Sequence, residues 1–132
     1  ILIAAAVASL ATPTVAQVAP ACATDTPLTV YELRTYYAAP GKLADLDARF
    51  RDHGVRLLTK HGAVSLGYWV AVGEPGERFV FLLAYPSRAA RERTWEGFAT
   101  DPEWVGAKRR SEACGKLVDR IEEVFLRADD VA

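Results

Sequence analysis

Residues 29–42 read TVYELRTYYAAPGK. Val30, Tyr31, Leu33, Thr35, Tyr36 and Tyr37 are β-branched, aromatic or aliphatic, which suits a pleated, half-buried strand. Pro40 has no donor N–H and Gly41 opens unusual backbone angles, so the strand stops there and a helical pattern takes over. The expected strand spans 28–38 and lies at the centre of a sheet. Alternation along it puts Tyr31, Leu33, Thr35 and Tyr37 on one face and Glu32, Arg34 and Tyr36 on the other. We expect the second set, with its Glu32–Arg34 pair, to meet a partner subunit; an anion anchor is the alternative.

Downstream, Leu43, Leu46, Phe50, His53, Leu57 and His61 recur at steps of three or four. This spacing predicts an amphipathic helix over 42–61, with Asp45, Arg49, Asp52, Arg56 and Lys60 turned outward and Gly62 as its C-terminal cap. VSLGYWVAV at 64–72 and RFVFLLAY at 78–85 flank a Gly-Glu-Pro-Gly turn and read as a hairpin. The second strand has almost no polar interruption, as a central strand should. Ser87 can cap a helix over 88–100, and Asp101-Pro102-Glu103 starts another. LVDRIEEVFLR at 117–127 is the last strand. The order β-α-β-β-α(α)-β is that of a ferredoxin-like α+β sheet with helices on one face. Its other face carries apolar and aromatic residues, and a second copy of the sheet is the expected cover, giving a dimeric α+β barrel.

Upstream, residues 1–10 are ILIAAAVASL, continuously apolar and small. This is the pattern of a secretory signal with a clipped start, too short for the ~20 residues of a membrane span. By residue size Thr14-Val15-Ala16 is a candidate cleavage site, giving a mature chain from Gln17, and Ala21-Cys22-Ala23 is a second candidate. The expected division is signal and cleavage region at 1–23, lead-in at 24–28, domain at 29–127 and tail at 128–132. The mature chain is expected to be periplasmic or secreted, without a membrane span. Ala19-Pro20-Ala21 before Cys22 is a poor lipobox, so a lipoprotein anchor at Cys22 is disfavoured.

The 132 residues carry 16 Lys and Arg against 17 Asp and Glu, for a net charge of −1 with no basic stripe, so nucleic acid is not an expected partner. Two cysteines, Cys22 and Cys114, are too few for a metal site without added histidines, and neither metal nor cofactor is expected. An antiparallel last strand puts Cys114 near the end of the first strand, while Cys22 precedes its start. A ten-residue strand is ~33 Å long, and a six-residue lead-in reaches at most ~20 Å. A bond within one chain is thus disfavoured, and one between chains stays open.

Tyr31-Glu32-Leu33-Arg34-Thr35-Tyr36, Pro40-Gly41-Lys42, His61-Gly62, Gly67-Tyr68-Trp69, Leu83-Ala84-Tyr85 and Asp101-Pro102-Glu103-Trp104 occur in order. Together they resemble the NIPSNAP domain family, above all its exported bacterial members, over about residues 30–126. The resemblance implies a dimeric α+β barrel, no settled biochemical activity, and no family-wide disulfide at Cys114.

Function is therefore expected from the residues themselves. Tyr37, His53, Trp69 and Trp95 are the candidate ligand-binding set, for a small apolar or aromatic molecule. His53, on the apolar face of its helix, is the one candidate for proton handling in an enzyme resembling a cofactor-independent oxygenase. The alternatives are that these aromatics are core and that the barrel is structural or partner-binding. No phosphate loop, nucleophile elbow or zinc motif is present.

Overall fold

A computed structural model describes residues 27–129 apart from position 74. The expected signal segment, Cys22 and most of the expected lead-in and tail fall outside the described residues. The elements are β1 (Val30–Ala38), α1 (Leu43–Arg49), a π-helical turn (Phe50–Gly54), α2 (Val55–Lys60), β2 (Val64–Ala71), β3 (Arg78–Tyr85), α3 (Arg88–Thr100), α4 (Pro102–Ser111) and β4 (Val118–Leu126). The four strands form one sheet in the order β2-β3-β1-β4. Every neighbouring pair is antiparallel, the ferredoxin-like arrangement expected from the sequence.

Local chemistry places the element ends. Ser87 accepts from the Ala90 N–H at 3.0 Å and starts α3; Asp101 accepts from the Glu103 N–H at 2.9 Å and starts α4, with Pro102 at its first position. Gly62 has φ 108° and ends the first helical stretch in a left-handed conformation that a side chain would strain.

The pairing register sorts the sheet into two faces. One row crosses from Tyr68 through Phe81 and Arg34 to Glu123, and the next from Val70 through Phe79 and Tyr36 to Ile121. These rows face the helices. Tyr36, Phe79 and Phe81 ring Phe50 at centroid distances of 5.4, 5.0 and 5.2 Å. Phe50, Leu46, Leu57 and Leu58 are fully buried against them. Each such side chain contributes about 1.5–3 kcal/mol by leaving water, and this is the centre of the core.

The opposite rows carry Tyr31, Leu33, Thr35 and Tyr37 on β1, Val80 and Leu82 on β3, Trp69 on β2 and Val124 and Leu126 on β4. None of the described helices covers them: Trp69 is 53% exposed and Val124 48%. This corrects the expectation for the quoted stretch. Glu32, Arg34 and Tyr36 lie under the helices, and a partner docked on the bare face of the sheet would meet Tyr31, Leu33, Thr35 and Tyr37.

The long helix differs from a regular one. Its hydrogen bonding widens to a π turn at Phe50–Gly54, which inserts one residue and rotates the residues after it. A Cβ at Gly54 would fall 2.5 Å from Phe50 Cδ1, so glycine lets the phenyl ring fold back over the turn. Two expectations fail here. Arg49, expected outside, is 5% exposed, because α1 packs against α4 as well as the sheet. His53, expected on the core face, is half-buried at the side of the helix.

Candidate functional site

A cleft of about 520 Å³ opens between α3, α4 and the β1–β4 side of the sheet. Trp95 and Phe98 come from α3, Trp104 from α4, and Tyr36 and Ile121 from the sheet. Phe98 and Trp104 sit 4.3 Å apart by ring centroid, and Phe98 meets Trp95 edge-on at 5.3 Å. Lys108, Glu112, Lys116, Asp119 and Arg120 form a charged rim.

Beneath α3 lies a closed ring of charge. Arg34 Nη1 donates to Glu32 Oε1 at 2.7 Å and to Glu123 Oε1 at 2.8 Å. Arg91 donates from Nε to Glu32 Oε2, and from Nη2 to Glu123 Oε2 at 3.2 Å. Two cations and two anions thus neutralise one another across β1, α3 and β4. The Arg34 guanidinium also lies 3.9 Å from the Trp95 ring centroid, in cation–π contact. Trp95 in turn donates to the Tyr85 hydroxyl at 2.8 Å. Burial, then the charge of Glu32, pushes the Tyr85 phenol well above its ordinary value, so it stays neutral.

Tyr36 joins the ring to the cleft. Arg34 Nη2 donates to its hydroxyl at 3.2 Å. Burial raises the Tyr36 pKa, and Arg34 and Arg49 oppose that rise without reversing it. The phenol therefore keeps its proton at neutral pH and donates it to no acceptor among the described residues. Arg49 reaches Ser111 and Glu112 through Nη1, at 3.2 and 3.0 Å. Its Nε, and that of Arg34, are buried without a partner among the described residues.

The four residues expected to form one ligand site are not brought together. Only Trp95 lines this cleft. Tyr37 lies on the bare sheet face, under the Arg120 guanidinium at 3.9 Å, and donates to Glu122 at 3.1 Å. Trp69 is on the same face, its ring folded over Gly67. His53 lines a separate groove of about 470 Å³ between α1 and α4, with Nδ1 3.2 Å from Glu103 Oε2. Cys114, an exposed thiol, lines that groove too. Tyr36 and Arg49 are the cleft residues that sequence reasoning placed elsewhere. A polar residue between core positions reads as outward by period, and nothing local marks Arg49 as buried. No cluster of three or more potential metal ligands occurs among the described residues, and no described helix is long and apolar enough to cross a membrane.

The fold and its cleft define a class: an antiparallel α+β protein with a small-molecule-sized hollow between helices and sheet. The NIPSNAP family model matches residues 31–131, and the chain belongs to the NIPSNAP family. A NIPSNAP domain protein from Burkholderia xenovorans is 26% identical, with a TM-score of 0.66 over 78% of this chain and 97% of its own. A NIPSNAP family protein from Agrobacterium tumefaciens shares the fold at 21% identity and a TM-score of 0.69, over 79% of this chain and 96% of its own. A Streptomyces coelicolor monooxygenase in complex with nanaomycin D shares it more distantly, at 14% identity and 0.53, over 83% of this chain and 95% of its own. No curated protein matches the chain.

Proposed function

We propose that this NIPSNAP protein is an exported homodimer that binds a small apolar or aromatic molecule in the cleft between α3, α4 and the sheet. The observation that carries the reading is the cleft itself. At about 520 Å³ it is walled by Trp95, Phe98 and Trp104 and has a neutral phenol at Tyr36. Ligand sites typically occupy roughly 300–1,000 Å³ and combine an aromatic lining with a few convergent polar groups. The homodimer rests on the bare sheet face, where Trp69, Leu82, Val124 and Leu126 make an apolar surface that a second sheet would cover. Export rests on the apolar run at 1–10 and the small residues after it.

Native mass spectrometry of the protein purified from its host, followed by titration with 2-acetylnaphthalene, tests the reading. A co-purified small molecule, or binding that Trp95→Ala weakens at least about tenfold, is expected. No bound mass and no difference between wild type and variant would count against it.

An enzymatic reading draws on the shared fold of the Streptomyces monooxygenase, and fold alone does not transfer an activity. His53 lies outside the cleft, so a proton-handling role there would fall to Tyr36 instead.

A further inference from the structure

The polar groups of the cleft constrain what enters it. Three aromatic walls favour a flat, apolar body. One wall has an excess of positive charge, because Arg49 and Lys108 share a single carboxylate, Glu112, at 3.0 and 2.8 Å. The Tyr36 hydroxyl is held as a donor: Arg34 occupies its acceptor side, and its own proton has no taker among the described residues. Arg49 keeps a buried Nε without a partner beside the same cleft. A buried donor left unmatched costs free energy, and an anionic oxygen is the acceptor that gains most from meeting it.

We propose that the ligand is a flat apolar monoanion, an aromatic carboxylate in class, whose ring lies among Trp95, Phe98 and Trp104 and whose carboxylate accepts from the Tyr36 hydroxyl beside Arg49. This rests on the cleft being a ligand site. It adds the charge of the ligand and the residues that receive it. The arrangement selects against two neighbouring classes. A neutral aromatic offers the Tyr36 donor at most an uncharged acceptor and leaves the surplus cation unanswered. A cation meets a lining in which Arg49, Lys108, Lys116 and Arg120 outnumber the carboxylates of Glu112 and Asp119.

Isothermal titration calorimetry with 2-naphthoate and its neutral counterpart 2-acetylnaphthalene tests this, on wild type, Tyr36→Phe and Arg49→Met. Wild type is expected to bind the acid at least about tenfold tighter than the ketone, a charge-assisted hydrogen bond being worth that much. Tyr36→Phe should bring the two ligands within about threefold, weakening the acid more than the ketone because only the acid's hydrogen bond is charge-assisted. Arg49→Met should likewise lower affinity for the acid and flatten its salt dependence. Equal binding of acid and ketone by wild type overturns the proposal and leaves the cleft reading standing. Unchanged preference in Tyr36→Phe, with circular dichroism showing a folded variant, overturns the assignment of the receiving group. Failure of both probes to bind counts against the cleft reading and the proposal together.

Discussion

Replacing Glu32 with alanine tests the charge ring directly. Glu32 is fully buried and accepts from both Arg34 and Arg91. Arg34 is 5% exposed, with its guanidinium held against Trp95. Without Glu32, the one anion left to Arg34 among the described residues is Glu123, whose side chain is 40% exposed and already shared with Arg91. Arg91 retains Glu92, which is 61% exposed, so it is the buried Arg34 guanidinium that is left undercompensated beneath α3. Removing one partner of a buried ion pair typically costs about 3–5 kcal/mol. For a domain of this size, at about 6 °C per kcal/mol, that is a fall in Tm of roughly 20–30 °C. Urea and thermal unfolding followed by far-ultraviolet circular dichroism measure it, with tryptophan fluorescence reporting separately on Trp95. The triple variant Glu32→Leu, Arg34→Met, Arg91→Met removes the buried anion together with both of its cations. It should recover to within about 1.5 kcal/mol of wild type, since well-packed apolar groups often match a buried ionic cluster. A loss below about 1 kcal/mol in Glu32→Ala would refute the reasoning, because it would mean that water reaches Arg34.

Three further outcomes are expected. Gly54→Ala should destabilise by about 1–3 kcal/mol in urea titration, although alanine is the better helix former, because its Cβ lands on the Phe50 ring. The Lys60 ammonium, then His61 and the Glu103 N–H, hold the Asp101 carboxyl well below its ordinary 3.8. A depressed folded pKa lends stability that is present above the unfolded value and lost as pH falls through the folded one. Urea midpoints should therefore drop as pH goes below about 4, and Asp101→Asn should show a shallower acid limb. Val124→Asp places a charge on the bare sheet face and should convert a dimer to monomer in analytical ultracentrifugation while the cleft still binds; an unaltered dimer would move the interface elsewhere.

Much of the fold was legible because each element end carries local chemistry. Ser87, Asp101-Pro102 and Gly62 are caps by residue type, and the structure uses them as such. The order of strands and helices came from periodicity. Alternation also split β1 into its two faces, but did not say which of them meets the helices. Glu32 and Arg34 are polar and Tyr31 and Leu33 are not, so polarity points the wrong set at the helices. The reversal is non-local: Arg91 on α3 and Glu123 on β4 complete the ring that lets two charges be buried. The first helix misled for a different reason. A 3.6-residue period assumes an uninterrupted helix, and the π turn breaks the phase between Leu46 and Leu57. His53 falls inside that break; Arg49 lies before it and keeps its phase, and is buried because α4 covers the flank that the period reads as outward.

The edge of the sheet carries a last consequence. β2 is a terminal strand, and its pairing with β3 shifts between Ser65 and Gly67, leaving Leu66 as an extra residue. Such a bulge twists a strand out of the flat register that another strand needs as a template. Trp69 then folds its ring over Gly67, filling the gap in the row of side chains there. Lateral growth of the sheet, the first step toward a fibril, is therefore obstructed at β2 by geometry alone. Next to an open apolar sheet face, an edge strand at β2 that is a poor template lowers the chance that copies stick together edge to edge.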